Sequence, residues 1–139
     1  MLQIRIPPEL RTPIKAVVPT TGFDKAPDME NHDPSNIVLY EGNYYVWYTE
    51  HRQDTDGFKT CYIKYATSAN GLHWHVRGIA LEKGDPDGPD AQGVLTSFIV
   101  QTKEKWYMFF LAVGPKFNDP QTSSRGIWLA EAATPDGPW

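Results

Sequence analysis

Apolar and polar positions along this chain fall into short runs separated by turn residues, and that spacing predicts strands. "SNIVLY" (35–40) and "NYYVWYTE" (43–50) are runs of β-branched and aromatic residues, and "EGN" between them is a tight hairpin signal. "CYIKYATS" (61–68) follows the polar loop "HRQDTDGFKT", and "HWHVRGIAL" (73–81) follows the turn "ANG". The order strand, hairpin, strand, loop, strand, turn, strand is an antiparallel meander of four. "SFIVQT" (97–102), "KWYMFFLA" (105–112) and "GIWLAEAAT" (126–134) repeat that order through "KEK" and the loop "VGPKFNDPQTSSR", then close with "PDG" and a final "PW". "NYYVWYTE" is aromatic on both faces, as strands buried on both sides are. Residues 1–30 read as an irregular lead-in, in which "IRIPP" and "IKAVVP" each predict a short strand interrupted by proline.

The two meanders align with each other. Tyr44 matches Trp106 and Ile37 matches Ile99, both at an offset of 62 (106 minus 44, 99 minus 37). Ala66, Asn70 and Gly71 match Ala132, Asp136 and Gly137 at an offset of 66, so the second loop is expected to be four residues longer. A repeat of about 60 residues, each a four-strand meander, predicts β-propeller blades. A single antiparallel sandwich of seven or eight strands also fits the composition, and the matched turns favour the propeller. The expected fold is all-β, with two four-stranded antiparallel blades at about 31–83 and 88–139, the second incomplete. A closed propeller needs at least four blades. Two alone leave edges and apolar faces open, so self-association into a homo-oligomer is expected.

Composition agrees with strands. Five Trp, seven Tyr and six Phe supply large buried areas, while twelve Pro and eleven Gly argue against long helices. The formal charge is −4 with no basic run, which excludes binding to a nucleic-acid backbone. The lone cysteine, Cys61, has no internal partner and lies in an apolar run, the setting of a buried, inert thiol. No apolar run approaches the ~20 residues of a membrane span. The first residues lack the apolar region of a secretory signal, so the chain is expected to be cytoplasmic by default, or already stripped of a leader.

Candidate chemistry centres on two aspartates. Asp33 precedes the first strand of meander one, and Asp90 takes a comparable place before meander two. Innermost propeller strands line the central channel, so both carboxylates would meet at its mouth. Glycosidic cleavage needs one group to handle water or attack carbon and another to protonate the leaving oxygen. Asp-Pro and Pro-Asp pairs are also ordinary turn elements. His32, beside Asp33, and His51, at a strand end, are candidates to touch a substrate. Trp47 and Trp106 either stack on a sugar or fill the core. Glu50 is either a further carboxylate or a solvated strand end. His73 and His75 share a strand face without a third ligand, and "DPDGPD" (85–90) lacks the full calcium-loop pattern. No metal or cofactor is expected.

"HDPSNIVLYEGNYYVWYTE", "YATSANGLHWHVRGIAL", "DAQGVLTSFIV", "KWYMFF" and "GIWLAEAATPDGPW" together resemble the first two blades of the five-bladed propeller glycoside hydrolases. These are the family 43 arabinofuranosidases and xylosidases and relatives such as the family 117 anhydro-galactosidases, and the resemblance covers residues 31 to 139. It implies that Asp33, in the Asp-Pro motif, is the base that activates water. Asp90 is the nearest match to an aspartate that orients the sugar or tunes the acid. The family's acid, a glutamate or a histidine from a later blade, has no counterpart here. The implied function is inverting hydrolysis of plant or algal polysaccharide-derived sugars. The alternative is a non-catalytic, truncated propeller fragment that self-associates or binds glycan without turnover.

Overall fold

The computed structural model describes residues 18–23, 26–53, 59–115 and 125–139, and all of their regular structure is strand. The strands are β1 (Met29–His32), β2 (Val38–Tyr40), β3 (Asn43–Gln53), β4 (Lys59–Ser68), β5 (His75–Leu81), β6 (Gly93–Gln101), β7 (Trp106–Val113) and β8 (Arg125–Ala132). The segment "IRIPP" and most of "IKAVVP" lie outside the described residues, as does most of the loop before β8. Among the described residues no helix is long and apolar enough to cross a membrane.

Blade one is an antiparallel set in which β1 and β2 share one edge of β3, and β4 and β5 follow. Blade two consists of β6, β7 and β8, antiparallel in that order. A single parallel pairing, Cys61 with Gly93, joins the two at the β4–β6 crossing. There Gly93 has φ 153°, and a Cβ on it would lie 2.7 Å from the Cys61 Cβ, so only glycine lets the strands meet this closely.

Two sequence expectations need correction. First, the inner strand of blade one begins at Met29, inside the expected lead-in, so Asp33 interrupts that strand instead of preceding it. "MENH" carries no apolar alternation. Its backbone pairing, Met29 to Arg52 through His32 to Thr49, holds it to β3. Second, Tyr44 pairs with Ser68 and Trp106 with Ala132. The outer strands therefore repeat at an offset of 64 (132 minus 68). The loop before β8 is two residues longer than its counterpart, and the other two residues enter the following turn.

The blades pack face to face. Trp47 and Ile63 of blade one meet Ile99, Trp106, Met108 and Phe110 of blade two in one buried cluster. The opposite face of blade one buries Val46, Tyr48, Ala66 and Trp74 beneath Phe23 from the lead-in. The lead-in is fastened by backbone bonds, with Thr21 N donating to the Leu72 carbonyl at 3.0 Å and Trp74 N donating to the Thr21 carbonyl at 2.8 Å. Strand β3 is thus covered on both sides, which is why its sequence is aromatic throughout.

Candidate functional site

The site is built on the break in the inner strand. His32 is the last residue of β1 paired with β3, and Asp33 then takes φ 48°, a left-handed conformation that aspartate tolerates better than most residues. Pro34 fixes its own φ and offers no N–H to the ladder. Pairing resumes at Ser35, whose N donates to the Trp47 carbonyl at 2.7 Å and whose Oγ accepts from Trp47 N at 3.0 Å. The chain uses six steps from His32 to Val38 where β3 uses four from Thr49 to Tyr45. That excess bulges Asp33 out of the ladder and leaves its side chain 41% exposed.

Two groups hold the carboxylate, both on Oδ2. His32 Nδ1 lies 2.8 Å away, and Thr96 Oγ1, from blade two, donates at 3.1 Å. A carboxylate only accepts, so the His32 proton sits on Nδ1. Among the described residues nothing hydrogen-bonds Oδ1. One carboxylate oxygen is thus anchored while the other can still accept a hydrogen bond. The His51 ring stands 4.1 Å from that of His32 at 75°, so these two candidates share one site with Asp33. Phe23, Asn31, His32, Pro34 and Tyr48 line an adjoining apolar hollow of about 160 Å³.

The other candidates lie elsewhere. Trp47 is fully buried, with its faces stacked by Tyr45 at 5.8 Å and Tyr65 at 6.4 Å and its edge met by Trp139. Trp106 is buried edge-on to Tyr40 at 5.1 Å and lies 6.4 Å from Trp47. Protein rings occupy these indoles, so the expectation that they stack on a sugar is not met in this structure. They are the core between the blades.

Asp90 lies in the loop between β5 and β6, folded back on the backbone of Gly84 and Gly88; a methyl group added at Gly84 would overlap its carboxylate. No described contact joins it to Asp33. Register also gives Asp33 a different counterpart in blade two. His32 opposite Thr49 corresponds to Leu95 opposite Leu111, at the same offset of 62 on the second strand (111 minus 49). The residue after Leu95 is Thr96, so Thr96 stands where Asp33 stands in blade one. It also has φ 48°.

Glu50 is neither solvated nor at the site. It is 2% exposed on the opposite face of β3, with Lys64 Nζ at 2.9 Å and Arg52 Nε at 2.8 Å. The hydrogen bond to Glu50 holds the Arg52 guanidinium above its ordinary pKa. His73 Nδ1 is bonded to Thr21 Oγ1 at 2.9 Å, and no group of three metal-ligating side chains occurs among the described residues.

Sequence reasoning missed Thr96, Thr49 and Asn36. Thr49 Oγ1 accepts from Thr96 N at 3.0 Å. Asn36 clips blade one to blade two, with Nδ2 donating to the Ile99 carbonyl at 3.0 Å and Oδ1 accepting from Ile99 N at 2.8 Å. One signal was present: Thr96 and Ser97 are adjacent small polar residues inside the apolar run "GVLTSFIV", as expected at a bulge.

Face-packed antiparallel meanders define a module of the β-propeller kind. The chain belongs to the family described as the glycosyl hydrolases family 32 N-terminal domain, whose model matches residues 26–131. A similar solved structure is Zg3597, a family 117 glycoside hydrolase of the marine bacterium Zobellia galactanivorans, with 28% identity and a TM-score of 0.76 over 88% of this chain and 41% of that one. The GH43_1 enzyme of Xanthomonas citri complexed with xylose shares the fold, with 22% identity and a TM-score of 0.57 over 78% of this chain and 30% of that one. So does an endo-arabinase of Bacteroides thetaiotaomicron, with 18% identity and a TM-score of 0.52 over 76% and 32%. This chain thus spans well under half the length of these relatives. No curated protein matches it.

Proposed function

We propose that this chain supplies the water-activating carboxylate of a glycosidase, acting by inversion on glycosides of plant or algal polysaccharide-derived sugars. Asp33 is the base, His32 and His51 line the sugar site, and Asp90 is the auxiliary carboxylate carried over from the resemblance. The observation that supports this reading is the Asp33 side chain, expelled from the inner strand with Oδ2 held and Oδ1 open. In the proposed step a water oxygen bonds to the anomeric carbon as the bond to the leaving oxygen breaks, and the water proton passes to Asp33 Oδ1.

An inverting reaction places a second carboxyl about 6.5–9.5 Å from the first to protonate the leaving group. The test uses 2,4-dinitrophenyl glycosides, whose leaving phenolate needs no proton, so that it reads the base alone. The xyloside comes first because a fold relative is complexed with xylose, followed by the arabinofuranoside and galactoside. The expected outcome is turnover by wild type, a fall of about 10²- to 10⁴-fold in Asp33→Asn, and a first-formed sugar of inverted configuration by proton NMR. Equal rates in wild type and variant would remove Asp33 as base, and a retained configuration would remove inversion.

A further inference from the structure

We infer that Thr96 is the positioning residue of Asp33, aiming the blade-one carboxylate from the equivalent bulge of blade two; the inference rests on the assignment of Asp33 as base. Thr96 is β-branched and sits at φ 48°, where such side chains are rarely found. Strained conformations persist where the surroundings over-determine them, and they cluster at functional sites. Here both polar groups of Thr96 within reach of blade one bond to it: its N–H to Thr49 Oγ1 at 3.0 Å, and its Oγ1 to Asp33 Oδ2 at 3.1 Å. The ladder between β6 and β7 gives way to allow this. Leu95 pairs with Leu111 and the next pair is Phe98 with Phe109, which leaves one extra residue on β6.

The seam around this contact is fixed independently. The Asn36 amide makes two hydrogen bonds to the backbone of Ile99, at 2.8 and 3.0 Å, between the same two inner strands. The contacts of Thr96 with Asp33 and of Asn36 with Ile99 span the same sequence separation of 63 residues. His32 holds Asp33 from its own strand, whereas Thr96 holds it from the neighbouring blade. Two anchors on one oxygen fix the rotation of the carboxylate and direct Oδ1 away from both. The aim of the base is thereby tied to the packing of the two blades.

The test compares wild type with Thr96→Val, which keeps the shape and removes the hydroxyl, and with Thr96→Ser, which keeps the hydroxyl. Two readouts are taken. NMR three-bond couplings report the Asp33 χ1 rotamer without any substrate. A single rotamer is expected in wild type and Thr96→Ser, and rotamer averaging in Thr96→Val. Turnover of the 2,4-dinitrophenyl glycoside is expected to show kcat lower by about 10- to 100-fold in Thr96→Val with KM unchanged, because a misplaced group costs rate more than ground-state binding; Thr96→Ser restores kcat. A fixed Asp33 rotamer in Thr96→Val overturns the inference. So does an unchanged kcat in Thr96→Val where Asp33→Asn is slow, and in that case the base assignment stands. If Asp33→Asn is as fast as wild type, the assignment of the base fails, and the rotamer readout alone then decides whether Thr96 holds the side chain.

Discussion

Glu50 shows how far one residue can depart from its sequence context. It lies near the end of an aromatic strand, and by pattern it reads as a solvated terminus. In the fold it is a buried carboxylate between the cations of Lys64, itself 6% exposed, and Arg52. Removing one partner of a buried ion pair costs about 3–5 kcal/mol. Glu50→Ala is therefore expected to lower unfolding stability by about that much in urea titrations. The double variant Glu50→Leu, Lys64→Met removes both charges and is expected to cost less than the single change. A loss below about 0.5 kcal/mol in Glu50→Ala would mean the carboxylate is solvated after all. At the same scale, Asp33 was legible as a candidate because an Asp-Pro pair beside an apolar run is a visible break. Thr96 was not, because its role depends on a hydroxyl crossing between blades.

At the scale of elements, strand order was legible because most runs are rich in β-branched and aromatic residues with turn residues between them. Strand β1 was not. Its side chains carry no apolar pattern, and its backbone register with β3, from Met29 opposite Arg52 to His32 opposite Thr49, places it in the sheet. The sequence alignment matched Asp90 to Asp33 because both are acidic and lie ahead of an apolar run. Register matches Thr96 instead, since backbone pairing counts residues without regard to their charge. The β4–β6 crossing is equally hidden, resting on one glycine. A Cβ at Gly93 would also lie 3.1 Å from the Cys61 backbone N and O, so β4 and β6 would have to separate. Gly93→Ala is expected to destabilise the fold by about 1–3 kcal/mol, as overpacking does, read as a lower urea midpoint. An unchanged midpoint would show that the strands do not touch there.

Over the whole molecule, the facing sides of the two blades cover each other. Among the described residues, the far face of blade two is exposed. Phe98, Phe109, Ile127 and Leu129 are 56%, 41%, 81% and 53% exposed, and the first three line an apolar hollow of about 340 Å³. The pairings Phe98 with Phe109, Phe109 with Leu129 and Leu111 with Ile127 place these residues on one side of the sheet. Contiguous apolar patches of this kind mark interaction surfaces. We propose that a second copy of the chain covers this face in solution. Light scattering is expected to give a mass that rises with concentration above the 15.7 kDa of one chain. Ile127→Glu with Leu129→Glu should return it to one chain while changing stability by only about 0.5 kcal/mol, since both side chains are exposed. A wild type that stays at the mass of one chain at every concentration would contradict this.

The proposed position of Asp33 at the reacting carbon is tested most directly by chemical rescue. Asp33→Ala leaves room beside the anomeric carbon for a small anion that needs no base. With the 2,4-dinitrophenyl glycoside, the variant is predicted to be nearly inactive and to recover turnover in proportion to added azide, as azide bonds to the anomeric carbon, the phenolate departs and a glycosyl azide accumulates. Turnover of Asp33→Ala at the wild-type rate, or a slow variant that azide leaves unchanged, would contradict the account.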